Sequence, residues 1–193
     1  MNANAQSDSV SNLSQGNTKS LALIGVMAAV TCIMGPLSIP LPFSPVPISL
    51  TNLAVYVSIY ILGMKKGSIS YIIYMLIGLV GLPVFSSFTG GPGKLLGPTG
   101  GYLIGFLFMA VIGGLFIDKW PDNICLDLLG MVIGTLVMYV FGTVWLAYQA
   151  GLSFQNALIA GVIPFIPGDL AKIIIAALIA PKIVKRLKKA GLN

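Results

Sequence analysis

Six apolar runs follow one another along this chain, at residues 21–35, 50–64, 67–84, 101–117, 126–148 and 170–187, with only short links between them. About 20 apolar residues cross the hydrocarbon of a bilayer as a helix, with a usable range near 17 to 25. Some runs fall short of that, so their boundaries are set only to within several residues. A further apolar turn at residues 159–166 precedes the last run. The pattern predicts an all-α integral membrane protein, a six-transmembrane-helix bundle over residues 18–193. No link is long enough to hold a soluble domain. Residues 1–17 (MNANAQSDSVSNLSQGN) are polar and without periodicity, and are expected to form a disordered cytoplasmic tail. The next segment resembles a signal-peptide core, but no small-x-small cleavage site follows it, so a retained first helix is expected.

Charge supports the membrane reading. Only 8% of the 193 residues are charged and mean hydropathy is +0.96, whereas soluble domains carry about 25% charged residues. A soluble chain this poor in charge would turn large apolar patches to water. The net charge of +6 does not point to nucleic acid, because the cations gather at segment ends. Lys19, Lys65, Lys66, Lys119, Lys182, Lys185, Arg186, Lys188 and Lys189 share one side if six helices alternate. Positive links stay cytoplasmic, so a multi-pass protein of the cell membrane with both termini inside is expected. Residues 36–50, 85–100 and 149–168 then face outward. Lys94 and Lys172 are the two cations outside that scheme.

Histidine is absent, and all 5 acidic residues are aspartates. Most metal sites and most acid–base machinery are thereby excluded. Cys32 and Cys125 lack ligand spacing and read as unpaired thiols. No metal and no cofactor are expected.

Two stretches depart from the apolar pattern. The first is TGGPGKLLGPTGGY, Thr89 to Tyr102. It fails the phosphate-loop pattern, because Leu95 follows Gly93-Lys94 where Ser or Thr is needed, and it fails the dinucleotide pattern at Leu96. Irregular backbone is tolerated at membrane depth only if buried in protein or lining a wet cavity. Glycines such as Gly90 and Gly91 can offer bare N–H and C=O groups to a ligand, and Pro92 and Pro98 stiffen the loop. A pocket wall and a flexible outer loop both fit.

The second is Phe165-Ile-Pro-Gly-Asp-Leu-Ala-Lys172. Pro167 and Gly168 favour a helix start just before Asp169 and Lys172. Three residues apart, these two share one helix face. A charge placed deep in a membrane costs at least about 2.5 to 3.5 kcal/mol, so such residues usually line a substrate path. A capping Asp169 with a snorkelling Lys172 is the structural alternative. As a ligand site, Lys172 with the helix N-terminus suits a carboxylate, and Asp169 suits N–H donors. Gly25-x-x-x-Ala29 and Gly130-x-x-x-Gly134 carry the spacing that lets helices approach closely, within the bundle or against a partner.

At these residues the sequence resembles the BioY family, the biotin-capturing S components of energy-coupling-factor (ECF) vitamin transporters. The resemblance rests on Pro45-Val-Pro-Ile-Ser-Leu50, Gly81-Leu-Pro-Val84, Leu96-Gly-Pro-Thr-Gly-Gly-Tyr102 and Phe165-Ile-Pro-Gly-Asp-Leu-Ala-Lys172, with support from Trp145-Leu-Ala-Tyr-Gln149. It implies a six-helix bundle with biotin held near the outer face, contacted by Asp169 and Lys172. It implies that Thr89 meets the ureido ring, and it adds Gly90, Gly91 and Tyr102 to the substrate-binding set. Some members carry an arginine after the GPTGGY motif; this chain has Leu103, which leaves Lys172 as the main cation for the carboxylate. Gly25 and Ala29 resemble the docking face for the transmembrane coupling subunit, which carries two ATPase subunits. The resemblance implies a transporter subunit that tips over in the bilayer to deliver its cargo, with no enzymatic activity of its own. An S component for another carboxylated vitamin is the nearest alternative. A membrane-embedded aspartyl enzyme would need two carboxylates close together, and Asp118, Asp122 and Asp127 fall on the opposite side from Asp169.

Overall fold

The computed structural model describes the backbone of residues 3–191 and the side chains of residues 18–191. Helix α1 is Ala3–Met34, and its apolar part is Thr18–Met34. The tail expected at residues 1–17 lies outside the described side chains; its backbone from Ala3 runs as the first part of α1.

Residues 36–50, expected as a loop, hold an antiparallel hairpin of β1 (Ser38–Leu41) and β2 (Ser44–Ser49). The fold is therefore mostly helical rather than purely α. Ser38 pairs with Ser49 and Ile39 with Ile48, and the register breaks between Ile39 and Leu41. Pro40 sits at that break, where it has no N–H to give to the ladder.

The second and third apolar runs form α2 (Thr51–Leu79), broken at Gly63 with φ 73° and ψ −179°. The carboxylate of Asp118 accepts the Met64 N–H at 2.9 Å, which satisfies a donor at the start of the second arm. A Cβ on Gly63 would lie 2.7 Å from Asp118 Oδ1, and positive φ is itself strained for a side-chain-bearing residue. Gly63→Ala is expected to lower stability by about 1 to 3 kcal/mol, seen as a lower thermal midpoint in detergent. An unchanged midpoint would show that this break is not a strained hinge.

The chain continues through α3 (Pro92–Leu96), α4 (Gly100–Lys119), α5 (Ile124–Ala150), α6 (Phe154–Gly161) and α7 (Ile166–Lys189). Seven helices thus stand among the described residues where six were expected, because one element carries two runs and two short helices add to the list. Asn123 and Ser153 cap α5 and α6 by accepting from Leu126 N–H and Asn156 N–H. The left-handed Gly151, φ 61°, ends α5. By length and composition, α4 and α5 can each cross a membrane, and α6 with α7, bent by 49°, can form a third span. Leu136, Val140, Val144, Leu170, Ile174 and Leu178 are exposed on the outside of α5 and α7, an apolar belt suited to lipid.

Inside, α4 packs on α5 and α2, while α7 packs on α2 and α5. A Cβ on Gly130 would meet the Phe116 side chain at 2.4 to 3.1 Å, and one on Gly134 would meet the Met109 backbone oxygen at 3.0 Å. The Gly130–Gly134 pair therefore serves packing inside the bundle. Gly25 is the opposite case: nothing lies within 4 Å of where its Cβ would be, and Gly25 and Ala29 both face outward.

Candidate ligand-binding site

A cavity with about 560 Å³ of empty space, including its open mouth, lies at the end of the bundle under the hairpin. Strand β2 supplies Val46 and Ser49, α2 opens into it with Asn52, and α7 brings Asp169 and Lys172. The walls are mostly apolar: Leu103 and Phe106 from α4, Met138 and the Tyr139 ring from α5, and Phe165 ahead of α7.

Its polar centre is one connected network. Asp169 is 5% exposed and Lys172 8%. Asp169 Oδ1 accepts from Asn52 Nδ2 at 2.7 Å and from Lys172 Nζ at 3.0 Å; Oδ2 accepts from the Tyr139 hydroxyl at 2.7 Å. Lys172 Nζ also donates to the Ser49 carbonyl at 2.7 Å. A carboxylate has about four acceptor positions and an ammonium three donors. With three bonds to Asp169 and two to Lys172, one acceptor position and one donor remain. Asn52 gives one N–H to Asp169 and keeps a second. The Thr99 hydroxyl, also in the lining, is buried with no partner among the described residues. The cavity thus offers an apolar slot with a spare cationic N–H, an amide N–H, a hydroxyl and one carboxylate position. A ligand with a carboxylate, an apolar body and an N–H/C=O group matches that inventory.

Of the residues expected at the site, Asp169, Lys172 and Tyr102 reach the cavity. The Tyr102 hydroxyl donates to the Gly161 carbonyl at 2.8 Å, which ties α4 to α6. Thr89, Gly90 and Gly91 do not line it. The Thr89 hydroxyl donates to the Ser86 carbonyl at 2.8 Å, and Thr89 O accepts the Phe85 N–H at 2.9 Å. Gly90 sits against the Leu82 carbonyl, which a Cβ would meet at 2.3 Å. Gly91 N–H donates to Gly78 O at 2.7 Å. These three fold a tight loop, with Ser87 and Phe88 at φ 61° and 54°, and the residue this loop sends to the cavity is Ser86. Leu103 lines the wall and brings no charge. Lys94 is not in the lining, and burial lowers its pKa from the ordinary lysine value.

Sequence reasoning missed Asn52, Tyr139, Ser49 and Thr99. Two of them carried a legible signal. Asn52 is an amide inside an apolar run, where a polar group needs a partner. Tyr139 lies in the middle of α5, away from the interfacial belts where membrane tyrosines gather. The Ser49 carbonyl carried none, since any residue has one.

The BioY family profile matches residues 3–189 of the chain. The biotin transporter BioY of Thermotoga maritima is 37% identical over 167 residues, covering 86% of this chain and 96% of that protein. The biotin transporter BioY of Rhizobium etli is 36% identical over 172 residues, covering 84% and 91%. Among solved structures, the crystal structure of the S-component for biotin from an ECF-type ABC transporter superposes with a TM-score of 0.80. The two are 33% identical, and the match covers 98% of this chain and 95% of that one. The protein is a member of the BioY family.

Proposed function

We propose that this chain captures biotin on the outer side of the cell membrane and carries it across as the substrate-binding component of an ECF transporter. The observation that carries the reading is the buried network of Asp169, Lys172, Asn52 and Tyr139, set in an apolar cavity at one end of the bundle. Biotin has a ureido group with N–H donors and a carbonyl, an apolar ring body and a carboxylate. The spare carboxylate position of Asp169 takes a ureido N–H, and the free Asn52 N–H takes the ureido oxygen. The apolar walls enclose the rings and tail. Lys172 and Thr99 hold the polar end that reaches them. The relatives' names and the solved S-component support biotin over other vitamins.

In this reading the bundle crosses the membrane six times. Thr18–Met34, the two arms of α2 on either side of Gly63, α4, α5 and α7 are the spans. Both termini are cytoplasmic, since the cationic C-terminal end of α7, with Arg186, Lys188 and Lys189 in its last turn, belongs on the inside. The exposed small face of α1, Gly25 and Ala29, docks on the transmembrane coupling subunit. Two ATPase subunits supply the energy, and this chain catalyses no reaction.

Calorimetry on the purified protein with biotin, thiamine and riboflavin tests the proposal. Biotin is expected to bind far more tightly than the other two; preference for another vitamin overturns the substrate. Lys172→Ala is expected to weaken biotin binding by about 1.5 to 3 kcal/mol, the range for a charge-assisted hydrogen bond. Unchanged affinity would remove Lys172 from the site.

A further inference from the structure

A second recess lies at the far end of the bundle from the biotin cavity. It encloses about 1270 Å³, partly open to solvent, between the α4–α5 corner and the last turns of α7. Its charged lining is Asp122 and Asp127 on one side and Lys185 and Lys188 on the other. Asp127 is 5% exposed. Its Oδ2 accepts the Tyr60 hydroxyl at 3.2 Å, but its Oδ1 is buried without a partner among the described residues. A carboxylate oxygen taken from water and given no donor is a costly arrangement. The lysines do not relieve it: among the described residues the one ion pair is Asp169 with Lys172. The recess therefore holds two anions and two cations that are not spent on each other, and its net formal charge is zero.

Such a lining complements a ligand that carries both signs. Lys185 and Lys188 lie three apart on α7 and share a face, as a phosphate clamp requires. Asp127 Oδ1 needs a hydrogen-bond donor, and a small turn of the carboxylate brings it to the recess that Asp127 lines; a primary ammonium has three N–H groups to give and a trimethylammonium has none. Pro181 walls the recess, and Ile124 beside it is 45% exposed. Exposed Leu129 and Leu178 lie further along α5 and α7. An acyl chain could follow that apolar surface away from the charges. We propose that this recess seats the head group of a zwitterionic phospholipid bearing a primary amine. Its ammonium donates to Asp127 Oδ1 and its phosphate sits at Lys185 and Lys188. A basic side chain of a protein partner would satisfy Asp127 but would bring no anion to the two lysines.

The test is native mass spectrometry of the full chain released from nanodiscs of equimolar phosphatidylethanolamine and phosphatidylcholine. The wild type is expected to retain the ethanolamine lipid at least about tenfold over the choline lipid, the change one charge-assisted hydrogen bond carries. Asp127→Asn should erase most of that preference. Lys185→Gln with Lys188→Gln should lower retention of both lipids, whose phosphates are alike. Biotin affinity, read in parallel, should stay unchanged in these variants and certify their folding. Equal retention of the two lipids by the wild type, or the same preference in Asp127→Asn, overturns the proposal. It is also overturned if the variants keep their lipids but lose affinity for the coupling subunit, since the recess would then belong to a protein partner.

Discussion

Replacing Asp169 by alanine is expected to weaken biotin binding by at least about 1.5 to 3 kcal/mol, roughly 10- to 150-fold, and to lower the stability of the empty protein. The carboxylate is the hub of the cavity. It accepts from Asn52, Lys172 and Tyr139 at 2.7, 3.0 and 2.7 Å. Without it, three buried donors lose their acceptor and a lysine only 8% exposed loses its counter-charge. Removing one partner of a buried ion pair typically costs about 3 to 5 kcal/mol. Asp169→Asn separates the two parts of the effect. It keeps the volume, its oxygen can still accept from Asn52 and Lys172, and its amide can donate to the Tyr139 oxygen. The negative charge is what it loses. We expect calorimetry to show Asp169→Asn at least about tenfold weaker than wild type, since charge-assisted bonds become neutral ones. Wild-type affinity in that variant would mean that the charge does not organise the site.

Gly100→Ala is expected to do nearly as much damage from a position that offers the ligand no side chain. A Cβ there would stand 1.6 Å from the Leu95 carbonyl oxygen and 2.7 Å from its carbon. Both are backbone atoms, so no rotamer change relieves the clash. Either α3 or the first turn of α4 must move, and Thr99 and Tyr102 at that turn line the cavity. Overpacking of this kind costs about 1 to 3 kcal/mol and sometimes more. We expect a lower melting midpoint together with weaker biotin binding. Gly93→Ala is the matched control, seven residues earlier in the same glycine-rich stretch, with nothing within 4 Å of the added carbon. It should leave both measurements where they are. Equal behaviour of the two variants would show that the α3–α4 corner is pliable and does not position the cavity.

That contrast also explains how far the glycine-rich stretch could be read from sequence. Composition suggested backbone groups offered to a ligand. In the folded protein the stretch turns instead into α3 and a close corner. Trp145 Nε1 donates to Gly97 O at 2.9 Å, and the Gln149 side-chain amide donates to Leu96 O, so α5 holds the corner by its carbonyls. A glycine needed for close approach and a glycine needed for ligand access look alike in one dimension. Thr89, Gly90 and Gly91, expected at the ligand, hold the loop that presents Ser86.

Asp169 and Lys172 were legible because a charged pair opening a helix in an apolar chain is costly, and that cost shows in the residue types. The apolar helices were legible because sustained apolarity is a local property of the chain, and α4, α5 and the α6–α7 pair are long and apolar enough to cross a membrane. The partners of the pair were not local. Asn52 lies 117 residues from Asp169 and the Ser49 carbonyl 123 from Lys172, so no spacing rule joins them. The hairpin at 38–49 was hidden for a related reason: its strands are short and hold three prolines, and cross-strand pairing is what makes them strands. Sequence by itself thus determined the apolar surroundings this chain suits, the apolar runs that become its helices and the charged pair that the cavity buries. Only the tertiary structure decided which donors complete that pair, which glycines touch backbone, and that Oδ1 of Asp127 at the far end is buried without a donor among the described residues. Those outcomes depend on distances between residues far apart in the chain, and such distances exist only once the helices have packed.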